Sequence, residues 1–177
     1  AREYAACMDL ARSDAKAAHE TAVAWRKRGG GDAASHCVAV ALIGLGDYIQ
    51  AAEKMEALAR GMTHATAASR GELLGQAGNA WTIAGKPDRA YAAQTEALRL
   101  KPRDANILID RGITLTSTNK FWAALDDLNQ ALEIAPERVD ALVFRAIAWR
   151  HLDILELAND DIGRALRLQP DNLDALL

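Results

Sequence analysis

Between Gly71 and Asp104 the apolar and small residues recur at intervals of three and four. Leu74, Ala77, Gly78 and Trp81 mark one face; Ala90, Ala97 and Leu98, with Gln94 among them, mark another. That spacing belongs to helix faces and not to the alternation of a strand, so it predicts two amphipathic helices. Gly85 stops the first, and Pro87 stands near the first turn of the second, where its missing N–H does no harm. Pro102 closes the unit because proline cannot continue a helix. Small residues at Gly78, Ala90 and Ala97 let the two backbones approach closely.

The same unit returns downstream. Pro102, Pro136 and Pro170 stand 34 residues apart, each preceded by an Ala-Leu pair at Ala97-Leu98, Ala131-Leu132 and Ala165-Leu166. Val139-Asp140-Ala141-Leu142 is echoed by Leu173-Asp174-Ala175-Leu176. The period predicts helical hairpins at 71–104, 105–138 and 139–172, with 173–177 beginning a further helix. A stack ending on an uncapped apolar face is poorly soluble, so either the native chain continues or something covers that end.

Upstream the pattern loosens. Leu42, Gly46, Tyr48, Ala51, Ala52 and Met55 predict a degenerate repeat at 32–65, and 1–31 reads as a degenerate helical pair. In that pair Ser13 is the expected N-cap of the second helix, and Arg26-Lys27-Arg28 suit its C-terminal dipole. Gly29-Gly30-Gly31 lacks the Lys-Ser/Thr of a phosphate-binding loop and reads as a helix stop. Extra residues between Gly61 and Arg70 predict a lengthened helix or a small kink. Each repeat buries its face only against neighbours, so a single repeat domain over 1–177 needs no internal boundary.

The repeat resembles the tetratricopeptide repeat, strongly over 71–177 and weakly over 1–60. Leu74, Gly78, Trp81, Ala90, Ala97 and Pro102 fill the family's places in one repeat. Leu108, Gly112, Leu115, Phe121, Ala124, Ala131 and Pro136 fill them in the next. Leu142, Ala146, Trp149, Ala158, Ala165 and Pro170 follow. Arg111 and Arg145 depart from the pattern where an apolar residue is usual, as does Asp153 at the glycine of the turn. The resemblance implies an all-α solenoid of about five helical hairpins, wound as a right-handed superhelix.

Composition agrees with helices: about a fifth of the 177 residues are Ala and only 5% are aromatic. A net charge of −3 argues against a dedicated nucleic-acid binder, which needs a Lys/Arg surplus. No apolar run reaches the length of a membrane-spanning helix. His19, His36, His64 and His151 are scattered, without the spacing of a metal site. Asp126-Asp127 and Asp160-Asp161 are neighbours along a helix, do not face each other, and read as solvated charges. No nucleophile signature is present either, so the residues predict neither an enzyme nor a cofactor.

Cys7 and Cys37 leave two readings open. A disulfide would pin the first helices of the two degenerate pairs together. Against it, the sequence register staggers the two by some six residues, about 9 Å along a helix, and a disulfide needs Cα atoms within about 7 Å. The other reading is two small, half-buried residues.

By the resemblance, the inner face of the superhelix is lined by first helices. Its lining positions here are Asn79, Thr82 and Ile83, then Asn106, Ile109, Ile113 and Thr116, then Val143, Ile147 and Arg150. Independently, Ile109, Ile113 and Thr116 form a stripe distinct from the packing stripe of Leu108, Gly112 and Leu115. A helix apolar on two faces either buries both or exposes one to a ligand. Family members that clamp a peptide's terminal carboxylate use Lys, Asn and Arg. This chain has Gly75, Asn79, Asn106, Ile109 and Asp110 there, so that ligand is not expected.

The expected function is a scaffold that binds a peptide segment of another protein in its groove, with no nucleic acid and no membrane insertion. The alternatives are self-assembly through the C-terminal end, or a regulatory segment of a larger protein. The Ala-rich, Arg-over-Lys composition looks bacterial. The Cys pair, and a start without a charged-then-apolar leader that resembles a mature exported chain, point to the periplasm, with the cytoplasm as the alternative.

Overall fold

The computed structural model describes residues 2–172, which form ten helices and no strand. In order these are α1 (Arg2–Ser13), α2 (Ala15–Lys27), α3 (Gly31–Gly44), α4 (Tyr48–Gly61) and α5 (Ala67–Ile83). They continue with α6 (Pro87–Leu100), α7 (Ala105–Ser117), α8 (Phe121–Ile134), α9 (Val139–His151) and α10 (Leu155–Leu168). Odd-numbered helices are the first of each hairpin and even-numbered the second. The chain divides into two compact units, Ala1–Leu100 and Lys101–Leu177, at the junction before Pro102. The further helix expected from Leu173 lies outside the described residues.

One backbone device ends five of these helices. After α5, the Lys86 N–H reaches the Trp81 carbonyl (2.9 Å) and the Gly85 N–H reaches that of Thr82 (3.0 Å), with Gly85 at φ +67°. This Schellman closure returns at Gly29, Gly46, Asn119 and Asp153, all at positive φ. Asn and Asp tolerate the left-handed region better than other side chains, which is how Asp153 replaces the expected glycine. The Gly29 stop matches its sequence reading. Capping in the first hairpin differs from the expectation: Asp14, not Ser13, caps α2, accepting the Ala17 N–H at 3.0 Å. Ser13 still belongs to α1, where its hydroxyl turns back to the Asp9 and Leu10 carbonyls. The extra residues after Gly61 make a loop capped at Thr66 and an α5 of 17 residues, the lengthened helix of the two alternatives.

The cores of the units differ in texture. In the first, Ala39, Ala52, Ala77, Ala80 and Ala90 pack around Met55 and Trp81. In the second, Leu108, Leu115, Leu125, Leu128 and Leu142 are buried. Helices meet within a hairpin where a glycine faces a larger residue. A Cβ at Gly112 would lie 2.7 Å from Leu128 Cγ, and one at Gly78 would lie 2.5 Å from Gln94 Cγ.

Two carboxylates expected in solvent are inside. Asp126 and Asp160 are exposed, but Asp127 and Asp161 retain only 2% and 3% of their exposure. Arg111 grips Asp127 through Nε and Nη2, both at 2.7 Å, joining α7 to α8. Arg145 grips Asp161 in the same way at 2.7 and 2.6 Å, joining α9 to α10. The arginines that broke the apolar pattern are therefore half of a buried ion pair repeated at 34 residues, while the α5–α6 hairpin has Ala77 and Ala93 at those places. A planar guanidinium holding both carboxylate oxygens is the geometry in which such a pair is best compensated for lost water.

Candidate functional site

In the first unit the site is built by three first helices. Tyr4 of α1 donates its hydroxyl hydrogen to His36 Nδ1 of α3 at 2.7 Å, and His36 Nε2 donates to Gln76 Oε1 of α5 at 2.9 Å. The Tyr4 and His36 rings stack with centroids 5.8 Å apart. Burial alone pushes the Tyr4 phenol above its usual pKa. Beside this bonded chain opens a cleft of about 310 Å³ with Leu58, Met62 and Leu73 on its apolar side and Asp32 and Glu72 among its polar residues.

A disulfide fixes α1 against this face. Cys7 and Cys37 are bonded with Cα atoms 6.3 Å apart, which removes the stagger read from the sequence. The reason is a first hairpin compressed by tight turns: only Asp14 separates α1 from α2, and α3 begins at Gly31. Cys7 is also the single residue of α1 that is fully buried.

The expected lining positions fare unequally. In α5, Asn79 is exposed, Ile83 is 55% exposed, and half-buried Thr82 donates its hydroxyl to the Gly78 carbonyl. In the second unit Asn106 and Arg150 are exposed, and Ile113 and Ile147 are half-buried. Ile109, Val143 and Thr116 correct the expectation: they are 1%, 2% and 9% exposed, with the Thr116 hydroxyl spent on the Gly112 carbonyl. The helix apolar on two faces has buried most of both, so Ile109 and Val143 cannot act as surface anchors in this structure.

Acidic groups dominate the start of the first helices in the second unit. Arg138 donates to both oxygens of Asp140 and to Asn106 Oδ1. Burial pushes the Asp110 carboxyl up to about 6, and the charges of Asp140 and Asp104 add to the rise against the pull of Arg138. At Asp104 burial also raises the pKa, but bonds from Lys101 and the Ile107 and Asn106 N–H groups outweigh it and hold the group below its ordinary value.

The sequence reading missed Tyr4, Asp32, His36, Glu72 and Gln76. Tyr4 and His36 are 32 residues apart and His36 and Gln76 are 40 apart, so the 34-residue period does not bring them into one column. Their placement on first helices was the available signal. His151 ends α9 and stacks on Phe121 with centroids 4.5 Å apart. Among the described residues no cluster of His, Cys, Asp or Glu could hold a metal ion, and no helix is long and apolar enough to cross a membrane.

Helical hairpins at a 34-residue period, closed by one turn device and packed through facing glycines, define a helical-repeat protein. Residues 84–147 match the model of a tetratricopeptide-repeat family. The crystal structure of YrrB, described as a tetratricopeptide-repeat protein with an unusual peptide-binding site, aligns at a TM-score of 0.75 and 19% identity over 96% of this chain and 86% of its own. MamA aligns at 0.75 and 15% identity over 99% and 96%. The first such domain of Spaghetti (RPAP3), bound to the HSP90 peptide SRMEEVD, aligns at 0.60 and 28% identity over 62% and 86%. No curated protein matches the sequence. Residues 84–147 thus match the tetratricopeptide-repeat family, and the chain has the all-helical fold of such solenoids, with about five repeats.

Proposed function

We propose that the chain is a non-enzymatic scaffold that binds a segment of a partner protein on the face of its first helices. The observation that carries this reading is the cleft of the first unit, where α1, α3 and α5 each contribute a side chain to one bonded polar chain beside apolar ground. Structurally similar proteins that hold peptides support it. A terminal carboxylate is not the ligand we expect, because Gly75 and Ile109 are buried and Asp110 stands among other carboxylates. The Cys7–Cys37 bond supports an oxidising compartment, and we assign the chain to the periplasm of a bacterium on that ground together with its composition.

The test is capture of partners from host lysate by wild type and by Ile83→Asp, whose exposed side chain can change without disturbing the core. With circular dichroism identical for both, loss of a specific band in the variant is expected. An unchanged band moves the site off the α5 face and overturns this reading.

A further inference from the structure

A second cleft of the first unit, bordered by α4, α5 and α6, gathers three guanidiniums. Arg60 stands in the last turn of α4, Arg70 in the first turn of the lengthened α5, and Arg89 on α6. Two carboxylates, Glu56 and Glu96, share its walls. Glu96 accepts from Arg99 at 3.0 Å, and Arg99 stands outside the cleft, so that charge is already balanced. Both oxygens of Glu56 are spent: Oε1 accepts from Trp81 Nε1 at 2.8 Å and Oε2 from Arg89 Nη2 at 3.1 Å. Arg60 is left 3.6 Å from the same Oε2, beyond hydrogen-bond length. Arg70 donates Nε to the Ala59 carbonyl at 3.0 Å, a neutral acceptor that cancels none of its charge. One carboxylate thus faces three arginines, and two positive charges are in surplus.

The arginines are also held in place. The Arg89 guanidinium lies over the Trp81 ring, 4.2 Å from its centroid, so stacking and the Glu56 bond together fix its plane. The bond from Arg70 to α4 anchors Nε and leaves both terminal nitrogens as donors. Such forks match the oxygens of a phosphate, and a surplus of two charges matches its dianion, whereas a carboxylate brings only one. Leu74 and Ala93 supply apolar ground for a short carbon body, and the volume of about 390 Å³ suits a small ligand. We propose that this cleft binds a small phosphomonoester, its phosphate among Arg60, Arg70 and Arg89 and its carbon body on Leu74 and Ala93. The site shares no lining residue with the α1–α3–α5 cleft, so it is a small-molecule site beside the partner surface.

The experiment is an NMR titration of the full chain at pH 8, where a phosphomonoester is a dianion, at constant ionic strength. The probes are glycerol 3-phosphate, inorganic phosphate and acetate. Saturable shifts are expected at the Arg70 Nε–H and at the methyls of Leu74 and Ala93, with acetate at least tenfold weaker than glycerol 3-phosphate. Inorganic phosphate should move the same signals with lower affinity, because it lacks the carbon body; tighter binding of the free ion would overturn the ester as occupant. Arg70→Gln and Arg60→Gln should each weaken glycerol 3-phosphate at least fivefold. Arg12→Gln removes the same charge from an exposed place on α1 and should leave the affinity unchanged. Absence of saturation, acetate binding as tightly as the ester, equal weakening by Arg12→Gln, or shifts confined to other residues would overturn the assignment.

Discussion

At the scale of single residues, Asp110 stores a pH dependence. Unfolded, its carboxyl loses a proton near 3.8; folded, it holds that proton to about 6. The folded state binds the extra proton between those values, so the stabilisation is full below the lower one and is lost as pH rises through the upper one. The shift corresponds to about 2–3 kcal/mol. Asp110→Asn should therefore stabilise the chain at pH 7 and flatten the decline in stability between pH 4 and 7, measured by urea denaturation across that range. An unchanged slope would mean that another group carries it. Gln94 offers a second test. It is fully buried, its Oε1 lacks a hydrogen-bond partner, and the matching positions one and two periods later are Leu128 and Ile162. Gln94→Leu removes an unsatisfied buried acceptor, and a gain of about 1–2 kcal/mol is expected by denaturation.

Elements show what the sequence could and could not reveal. Hairpins, their turns and the close approach at Gly78 and Gly112 were legible because each depends on local residue type at a fixed period. The arginine–aspartate pairs were misread because a pattern counts Arg111 as a violation and Asp127 as surface, and only the packing of α7 on α8 unites them. Their coupling is testable. Asp127→Ala alone takes the carboxylate from a largely buried guanidinium and should cost about 3 kcal/mol. Arg111→Ala/Asp127→Ala, which reproduces the Ala77 and Ala93 of the α5–α6 hairpin, should recover most of that in a double-mutant cycle. Additive losses would show that the pair is not coupled. The first helix depends on a different bond. With Cys7 as its only fully buried residue, α1 owes its place to the disulfide, which closes a separation of 30 residues and contributes roughly 3–4 kcal/mol on the chain-entropy account. Reduction should lower the melting temperature and speed amide exchange in α1 before α3. Equal exchange rates with and without reductant would contradict this.

For the molecule as a whole, the fold was readable and the site was read only in part. Periodicity identified the first helices, and the family resemblance implied a lined face on them, but neither told which side chains stay exposed: Ile109 and Val143 went inward, and Asn79 and Ile83 stayed out. The Tyr4–His36–Gln76 chain escaped because it joins helices whose spacing differs from the period, in the hairpins where the repeat is most degenerate. The central claim is that the face of the first helices meets the partner. A photocrosslinking residue placed at Ile83 on α5 and, separately, at Tyr91 on α6 tests it directly, since both side chains are exposed, at 55% and 40%, on opposite partners of one hairpin. In living cells of the host, position 83 should yield a discrete crosslinked species and position 91 none. A crosslink from position 91 alone would put the partner on the second helices and contradict the account.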